Sequence, residues 1–263
     1  MQEIDFYLVD AFSDKTFGGN AAAVCPLEEW LPDETLLKMA QQHNQSETAF
    51  FVRTDGGFEL RWFTTLDEIN LCGHATLAAS HVIFEYLDYP HTEITFTTRF
   101  VGELTVKRSG DWLTLNFPAW TTEVVENPPE VLFSALGITE AKEVRVGRDY
   151  MVVLESQQQV EALTPDIGAM LPLDKMVCVT APGEEYDFVS RFFCPGEGVP
   201  EDPVTGSAHS MLIPYWSEKL GKMSLNARQV SYRGGDLRCE LKGDRVLIGG
   251  QATLYLKGRI FLR

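Results

Sequence analysis

Two short stretches of the sequence place a glycine and small polar side chains directly before a long uncharged run. The first is EINLCGHA at residues 68–75, and the second is EDPVTGSA at residues 201–208. In each stretch a glutamate stands five residues before the glycine, and Gly73 and Gly206 are 133 residues apart. The next formal charge after each glycine keeps this separation, so the chain contains an internal repeat.

The chemistry that such a stretch suits is the binding of an anion. A helix that begins at a glycine presents unpaired backbone N–H groups and the positive end of its dipole, and glycine lets a ligand approach the backbone closely. Two such helix ends can bind a carboxylate without any lysine or arginine. The alternative is that Gly73 and Gly206 only fit tight turns before core helices. Because the arrangement of a glycine at the start of a helix occurs twice, we expect both Gly73 and Gly206 to bind substrate.

Glu47 and His74 are candidate proton-transfer groups. Glu47 lies in NQSETAFF beside Ala49 and Phe50, and a carboxyl group among apolar neighbours suits a base that takes a proton from carbon and returns it. The alternative is an exposed glutamate at a strand edge. His74 falls in the first turn of a helix, where the dipole disfavours positive charge, so we expect a neutral imidazole. The alternative for His74 is a core histidine.

Asp202 and Ser207 are the polar candidates in the second stretch. Asp202 either caps the following helix, faces water, or contacts an amine or hydroxyl group of a substrate. Ser207 either hydrogen-bonds a substrate or only caps the turn. We expect His81 and His209 to be structural.

The elements that must position these residues follow from the uncharged runs. A helix that is apolar on all sides for about three turns must be surrounded by other elements, and a strongly curved sheet wrapped around each helix would do this. Strand and helix patterns are mixed without regular alternation, which predicts the α+β class. We therefore expect two similar halves, each a sheet around a buried helix, with both helix starts at a cleft.

Two further local patterns give structural predictions. LPDETLLKMAQQHN at residues 31–44 predicts a helix with Asp33 as its N-cap. Pro214 lies within the second uncharged run and predicts a kink in that helix.

Composition excludes several classes of function. The net charge of −16 and the pI of about 4.7 disfavour nucleic-acid and anionic-membrane partners. The five cysteines show no C-x-x-C spacing, which argues against disulfides and structural zinc, and the histidines are not spaced as metal ligands. With no signal peptide and no membrane-length apolar run, we expect a cytoplasmic protein.

Five segments in order resemble the phenazine-biosynthesis (PhzF-like) family and, more distantly, diaminopimelate epimerase. They are DAFSDKTFGGNAAAVC (10–25), NQSETAFF (44–51), RWFTTLDEINLCGHATLAAS (61–80), EDPVTGSAHSMLIPYW (201–216) and IGGQATLYLKGRIFL (248–262). The resemblance implies two pseudo-symmetric halves, each a β-barrel-like sheet around a central helix. The first half would be residues 1–117 completed by the last strand at 255–263, and the second 118–254, with the active site in the cleft between them.

The resemblance also implies chemistry and assembly. The family moves a proton at carbon, isomerising a cyclic amino-hydroxy carboxylic acid, without a cofactor or metal, and is commonly homodimeric. Its proton shuttle is the glutamate of the S-E-T-A-F motif, which is Glu47 here. The other pocket residues of the family correspond to His74, Asp202 and Ser207. We therefore expect catalytic roles for Glu47, His74 and Asp202, and substrate binding by Gly73, Gly206 and Ser207.

Cys72 distinguishes an isomerase from an epimerase. In diaminopimelate epimerase a thiol before each of the two glycines forms a two-base pair, whereas this chain has Cys72 in the first place and Thr205 in the second. Threonine is a poor carbon base, so a thiol–thiol epimerase is not expected, and Cys72 is interpreted as a passive small residue. The leading hypothesis is an isomerase of a small carboxylic acid. The alternatives are an amino-acid epimerase or racemase, and a non-catalytic small-molecule-binding protein.

Overall fold

The structure is a computed structural model, and it describes residues 1–196 and 199–263. The chain forms two compact units, residues 1–116 with 249–263, and residues 117–248. The described strands are β1 Gln2–Ala11, β2 Asn20–Leu27, β3 Thr48–Thr54, β4 Gly57–Phe63, β5 Glu68–Ile69, β6 Glu93–Thr98, β7 Gly102–Ser109, β8 Trp112–Pro118, β9 Glu123–Val124, β10 Glu143–Val146, β11 Tyr150–Val153, β12 Val177–Pro182, β13 Phe188–Phe193, β14 Glu201–Asp202, β15 Ser224–Gln229, β16 Gly235–Lys242, β17 Arg245–Gly250 and β18 Ala252–Leu262.

The described helices complete an α+β fold. They are α1 Asp33–His43, α2 Gly73–Tyr86, α3 Glu130–Leu136, α4 Gln157–Glu161, α5 Ile167–Met170, a short 3-10 helix Gly206–Ala208, and α6 His209–Leu220. Among the described residues, no helix is both long and apolar enough to span a membrane. All five cysteines lie among the described residues, where they are buried and form no disulfide.

The two units pair their strands in the same order. In the first unit β1–β2 is antiparallel, β2–β3 parallel, β3–β4 antiparallel, β4–β6 parallel and β6–β7 antiparallel. In the second unit the series β10–β11, β11–β12, β12–β13, β13–β15 and β15–β16 repeats these directions. A two-residue strand pairs with the fourth strand in each unit, β5 with β4 and β14 with β13. The predicted pseudo-symmetric halves are therefore confirmed.

The central helix of the first unit is buried as its uncharged sequence predicts. Every residue of α2 from Gly73 to Phe84 except His81 is buried. Two polar side chains are accommodated by bonding back along the helix, because Thr76 Oγ1 donates to the carbonyl of Cys72 at 2.5 Å and Ser80 Oγ donates to the carbonyl of Thr76 at 2.8 Å. These bonds let hydroxyl groups lie in the core without unmet polar atoms.

The second unit contains a matching buried helix, although it begins differently. The 3-10 turn at 206–208 leads into α6, whose residues His209 to Ser217 are buried except Pro214. Proline at 214 has no N–H for the carbonyl of Ser210, four residues earlier. That carbonyl accepts instead from the backbone N–H of Trp120 at 2.8 Å, so the proline leaves no unmet acceptor there.

The last strand belongs to the first unit. β18 pairs antiparallel with β1, from Gln2 opposite Leu262 to Ala11 opposite Ala252. The segment that returns to the first unit begins at Gly249, earlier than residue 255 in the sequence prediction. Gly250 packs closely against the core of this unit, since an added Cβ would lie 2.3 Å from Phe12 Cδ1 and 3.0 Å from Leu77 Cδ1.

The prediction of Asp33 as an N-cap is wrong. Pro32 occupies that position, and Asp33 is the first residue of α1. Its carboxylate instead pairs with two arginines, Arg61 at 2.8 Å and Arg99 at 3.1 Å. The charges of distant strands therefore determine the contacts of Asp33, and the sequence around α1 did not contain that information.

Candidate active site

Three element starts bring the site residues of the first unit together. β2 begins at Asn20, the parallel strand β3 begins at Thr48, and α2 begins at Gly73. The backbone N–H of Ala23 in β2 donates to the carbonyl of Glu47 at 3.3 Å, which fixes Glu47 just before β3. The side chain of Glu47 and that of His74, in the first turn of α2, thereby face one another.

Glu47 and His74 form a close acid–base pair. His74 Nε2 lies 3.1 Å from Glu47 Oε2, and the exposed fractions of the two side chains are 4% and 18%. Both atoms are buried, and neither has an aligned hydrogen-bond partner among the described residues. Buried polar atoms without aligned partners are rare and often mark functional sites. The arrangement can pass a proton to and from a third group.

The expectation of a neutral imidazole at His74 is wrong. Burial by itself lowers the pKa of His74, because it penalises the charged ring. The Cys72 sulfur and the Glu47 carboxylate act in the opposite direction, and the pKa of His74 is raised well above its ordinary value. The prediction from sequence considered only the helix dipole, whereas the carboxylate that opposes it lies 27 residues earlier in the chain.

The other nitrogen of His74 faces two further side chains. Asn20 Nδ2 lies 3.1 Å from His74 Nδ1, and Cys72 Sγ lies 3.5 Å from the same atom. Asn20 is 1% exposed, and Ser46 Oγ donates to its Oδ1 at 3.5 Å. The sequence analysis did not select Asn20. Its signal was a polar residue at the start of an otherwise apolar strand, NAAAVCPL.

Cys72 lies at the site but as a thiol. Burial raises the pKa of Cys72, and the charge of Glu47 raises it further, while His74 acts in the opposite direction. The neutral thiol is a weak acid and a weak nucleophile. This electrostatic setting supports the interpretation of Cys72 as a passive residue.

The donor atoms of Glu47, Cys72 and His74 lie within 4.8 Å of one another, close enough to suggest a metal site. The geometry does not fit a single ion, because Nε2 of His74 faces Glu47 and Nδ1 faces Cys72. A metal bonded to one ring nitrogen points away from the other. The three side chains are better described as a row in which the imidazole lies between the acid and the thiol.

The second unit groups the remaining predicted residues. Asp202 in β14 is half-buried, Gly206 is buried, and Ser207 is half-buried. Thr205 Oγ1 donates to Asp202 Oδ2 at 2.5 Å. Gln229, which is fully buried, joins the group by donating to the carbonyl of Asp202 at 2.6 Å and accepting from the N–H of Thr205 at 2.8 Å. No feature of the sequence pointed to Gln229.

The hydroxyl of Thr205 is therefore engaged by Asp202 instead of being free for proton transfer. It stands at the place that corresponds to Cys72 in the repeat, so the second unit offers no thiol there. The structure thus places Glu47, Gly73 and His74 together in the first unit and Asp202, Gly206 and Ser207 together in the second. Their catalytic and binding roles stay predictions.

The buried histidine of the second unit, His209, makes a hydrogen bond to the backbone. His209 Nδ1 donates to the carbonyl of Thr205 at 2.9 Å. Burial lowers the pKa of His209 to about 4, although the bond to Thr205 opposes this shift, so the ring is neutral near pH 7. The neutral ring ties the first turn of α6 to the residue before Gly206.

Each unit contains an arginine–glutamate ion pair that holds the short strand preceding Gly73 in the first unit and Gly206 in the second. Arg61 Nε and Nη2 donate to the two carboxylate oxygens of Glu68, each at 2.7 Å. Arg191 makes the same two-pronged contact with Glu201, at 2.7 and 2.9 Å. Each guanidinium also lies over the phenylalanine two residues later, Phe63 at 5.1 Å and Phe193 at 5.0 Å. The repeat seen in the sequence thus reproduces the support behind each site segment.

Comparison with known proteins decides the family. The chain matches the family described as Phenazine biosynthesis-like protein over residues 9–258. It is 48% identical over 261 residues to a protein of Pseudomonas aeruginosa named an uncharacterized isomerase, covering 99% of this chain and 100% of that protein. The chain belongs to the phenazine biosynthesis-like family.

Solved structures of phenazine biosynthesis-like proteins agree with this assignment. The crystal structure of a PhzF-family protein from Enterococcus faecalis superposes with a TM-score of 0.96 at 44% identity, covering 99% of this chain and 100% of that one. A predicted epimerase from Pseudomonas aeruginosa has a TM-score of 0.76 at 18% identity, covering 99% of this chain and 100% of that chain. The second likeness is one of fold alone. This phenazine biosynthesis-like chain is accordingly an enzyme of the isomerase class.

Proposed function

We propose that this protein moves a proton at carbon in a small carboxylic acid, cyclic or amino-bearing, with Glu47 as the acid and base. The observation that carries the proposal is the 3.1 Å approach of Glu47 Oε2 to His74 Nε2 at the start of the buried helix α2. A carboxylate held beside an imidazole is oriented for proton transfer before substrate arrives. The family assignment supports the isomerase class.

The proposed reaction uses one proton and no external electrons. The carboxylate of Glu47 takes a proton from a substrate carbon, and the electrons of that C–H bond shift into the adjacent double-bond system. Glu47, now a carboxylic acid, returns the proton to a second carbon, so that the double bond has moved. His74 stabilises the carboxylate before and after each transfer. The scheme balances without a redox partner.

Substrate binding is proposed to involve backbone and polar groups. The N-terminus of α2 at Gly73 offers N–H groups and a favourable dipole to the carboxylate of the substrate. Gly206 and Ser207 are proposed to contribute to anion binding, and Asp202 to contact an amine or hydroxyl group. The resemblance further supports a cytoplasmic homodimer that needs no cofactor.

The test measures exchange of substrate hydrogen with solvent. Small cyclic and amino-bearing carboxylic acids are incubated with the enzyme in deuterated water, and label in recovered substrate is measured by mass spectrometry. We expect the parent protein to introduce label into its substrate and Glu47→Gln to lose exchange by about 100-fold or more, because the amide cannot accept the proton.

Glu29→Gln is the matched control, since it makes the same chemical change at an exposed position. Undiminished label uptake by Glu47→Gln would remove Glu47 from the mechanism. The optical rotation of recovered substrate separates the isomerase from an epimerase, because inversion at carbon needs a second base on the opposite face.

A further inference from the structure

Asn20 is a buried polar residue whose side-chain amide contacts His74. It begins β2, is 1% exposed, and places Nδ2 at 3.1 Å from His74 Nδ1 across 54 residues of chain. A side-chain amide costs free energy to bury unless its hydrogen bonds are made. An apolar residue would continue the apolar pattern of β2, so the amide is retained for what it bonds.

The two ring nitrogens of His74 face different kinds of group. Nε2 faces the carboxylate of Glu47, which only accepts hydrogen bonds. Nδ1 must donate when the ring is protonated and accept when the ring is neutral with its hydrogen on Nε2. A partner for Nδ1 in both states must therefore be able to accept and to donate.

An asparagine amide meets this requirement. A half-turn about its terminal bond exchanges Oδ1 for Nδ2 in nearly the same volume. With Nδ2 toward the ring, Oδ1 accepts from Ser46 Oγ at 3.5 Å. Cys72 is a poorer partner, because a thiol is only a weak donor and acceptor.

We propose that Asn20 is a positioning residue whose side-chain amide is the hydrogen-bond partner of His74 Nδ1 in both protonation states of the ring. The inference rests on the proposed function in one respect, since the charge of Glu47 beside Nε2 changes at each proton transfer and changes the affinity of the ring for its own proton. The contact keeps Nε2 directed at Glu47 while the charge of the ring changes.

Two substitutions separate the ability of the Asn20 amide to accept a hydrogen bond from its ability to donate one. Asn20→Asp only accepts and adds negative charge, so it should raise the pKa of His74 by about 1 to 3. Asn20→Leu neither accepts nor donates, so it should lower the pKa of His74, because the protonated ring loses an acceptor. In the described part of the first unit, the titratable groups facing the ring are Glu47 and Cys72, and both remain in each variant.

The experiment is ¹⁵N NMR of histidine-labelled protein without substrate, which reports the protonation of each ring nitrogen. The chain has five histidines, and His74→Gln assigns the signal. We expect opposite shifts of the His74 titration in Asn20→Asp and Asn20→Leu, and none in Asn44→Asp, which makes the same change at an exposed position of the same unit. Unchanged His74 signals in both variants would overturn the proposal.

The parent protein supplies a second readout should the variants fold poorly. The side-chain amide signals of Asn20 should move at the pH at which His74 titrates, and amide signals that ignore this titration would also overturn the proposal. Where a substrate is known, kcat for label exchange should fall in both variants while KM changes little. Because the NMR readout needs no substrate, a failure of the Glu47 mechanism is distinguishable from a failure of this inference.

Discussion

Gly250 lies where the end of β17 passes the core of the first unit. A Cβ there would be 2.3 Å from Phe12 Cδ1, 2.8 Å from Phe12 Cε1 and 3.0 Å from Leu77 Cδ1. Phe12 and Leu77 are fully buried. We expect Gly250→Ala to lower the free energy of unfolding by about 1 to 3 kcal/mol, as overpacked cores do, measured by urea denaturation.

Gly258→Ala is the control for this prediction. Its added Cβ would meet only Leu256 Cδ2, at an ordinary 3.7 Å. A Gly250→Ala protein as stable as Gly258→Ala would show that Phe12 can move aside.

At the residue scale, the sequence supplied candidate site residues but not their electrostatics. Glu47, His74, Asp202 and Ser207 were selected because each lies in a recognisable segment. The charge of His74 and the role of Asn20 depend on contacts 27 and 54 residues along the chain. Local patterns carry no information about such contacts, and Gln229 was missed for the same reason.

At the scale of elements, the short strands β5 and β14 are held by the duplicated arginine–glutamate pairs. Arg191 and Glu201 have side-chain exposures of only 13% and 16%, and Arg191 Nη1 also donates to the carbonyls of Val160 and Leu163. We expect Arg191→Leu to cost about 3 kcal/mol of unfolding free energy, because it leaves a partly buried carboxylate and two carbonyls without this partner.

The corresponding change in the first unit should cost less. In Arg61→Leu the carboxylate of Glu68 keeps Arg99 at 2.8 Å, and Asp33 keeps the same arginine at 3.1 Å. Thermal and urea denaturation of both variants measures the difference, with the exposed pair at Lys38→Leu as a control that should change little. Equal losses in Arg61→Leu and Arg191→Leu would contradict the compensating role of Arg99.

The sequence predicted secondary structure correctly where residues of one kind, such as uncharged residues, filled a whole segment. The uncharged run after Gly73 predicted α2 and its burial, and the repeat predicted α6 and the matching topology of the second unit. The prediction failed at Asp33, because an aspartate near the start of a helix can serve either as an N-cap or as the acid of an ion pair. The 3-10 turn before α6 was also not predicted, since nothing local distinguishes it from a first α-helical turn.

At the scale of the whole molecule, the C-terminal strand is part of the first unit. β18 pairs with β1 along almost the full length of both strands, and Arg259 pairs with Glu3 at 2.7 Å. We expect removal of residues 252–263 to raise hydrogen exchange throughout β1, which would lose this hydrogen-bonded neighbour. Hydrogen–deuterium exchange with mass spectrometry locates the change.

Exchange in β12 and β13 should be much less affected, because these strands pair within the second unit. Removal of Arg263 alone is the control, since Arg263 lies beyond the last paired residue. Protection of β1 that survived the longer deletion would mean that β2 alone sustains it.

The return of the chain to its first strand has a consequence for synthesis. The second unit is one continuous segment, residues 117–248, whereas the first unit is built from two segments, residues 1–116 and 249–263. During translation the residues of the second unit leave the ribosome complete while β1 still lacks β18. Domains generally fold as units while the chain is made, and pairings distant in sequence form slowly. The half that carries Glu47 and His74 is therefore the half that is completed last, once residues 249–263 have been made.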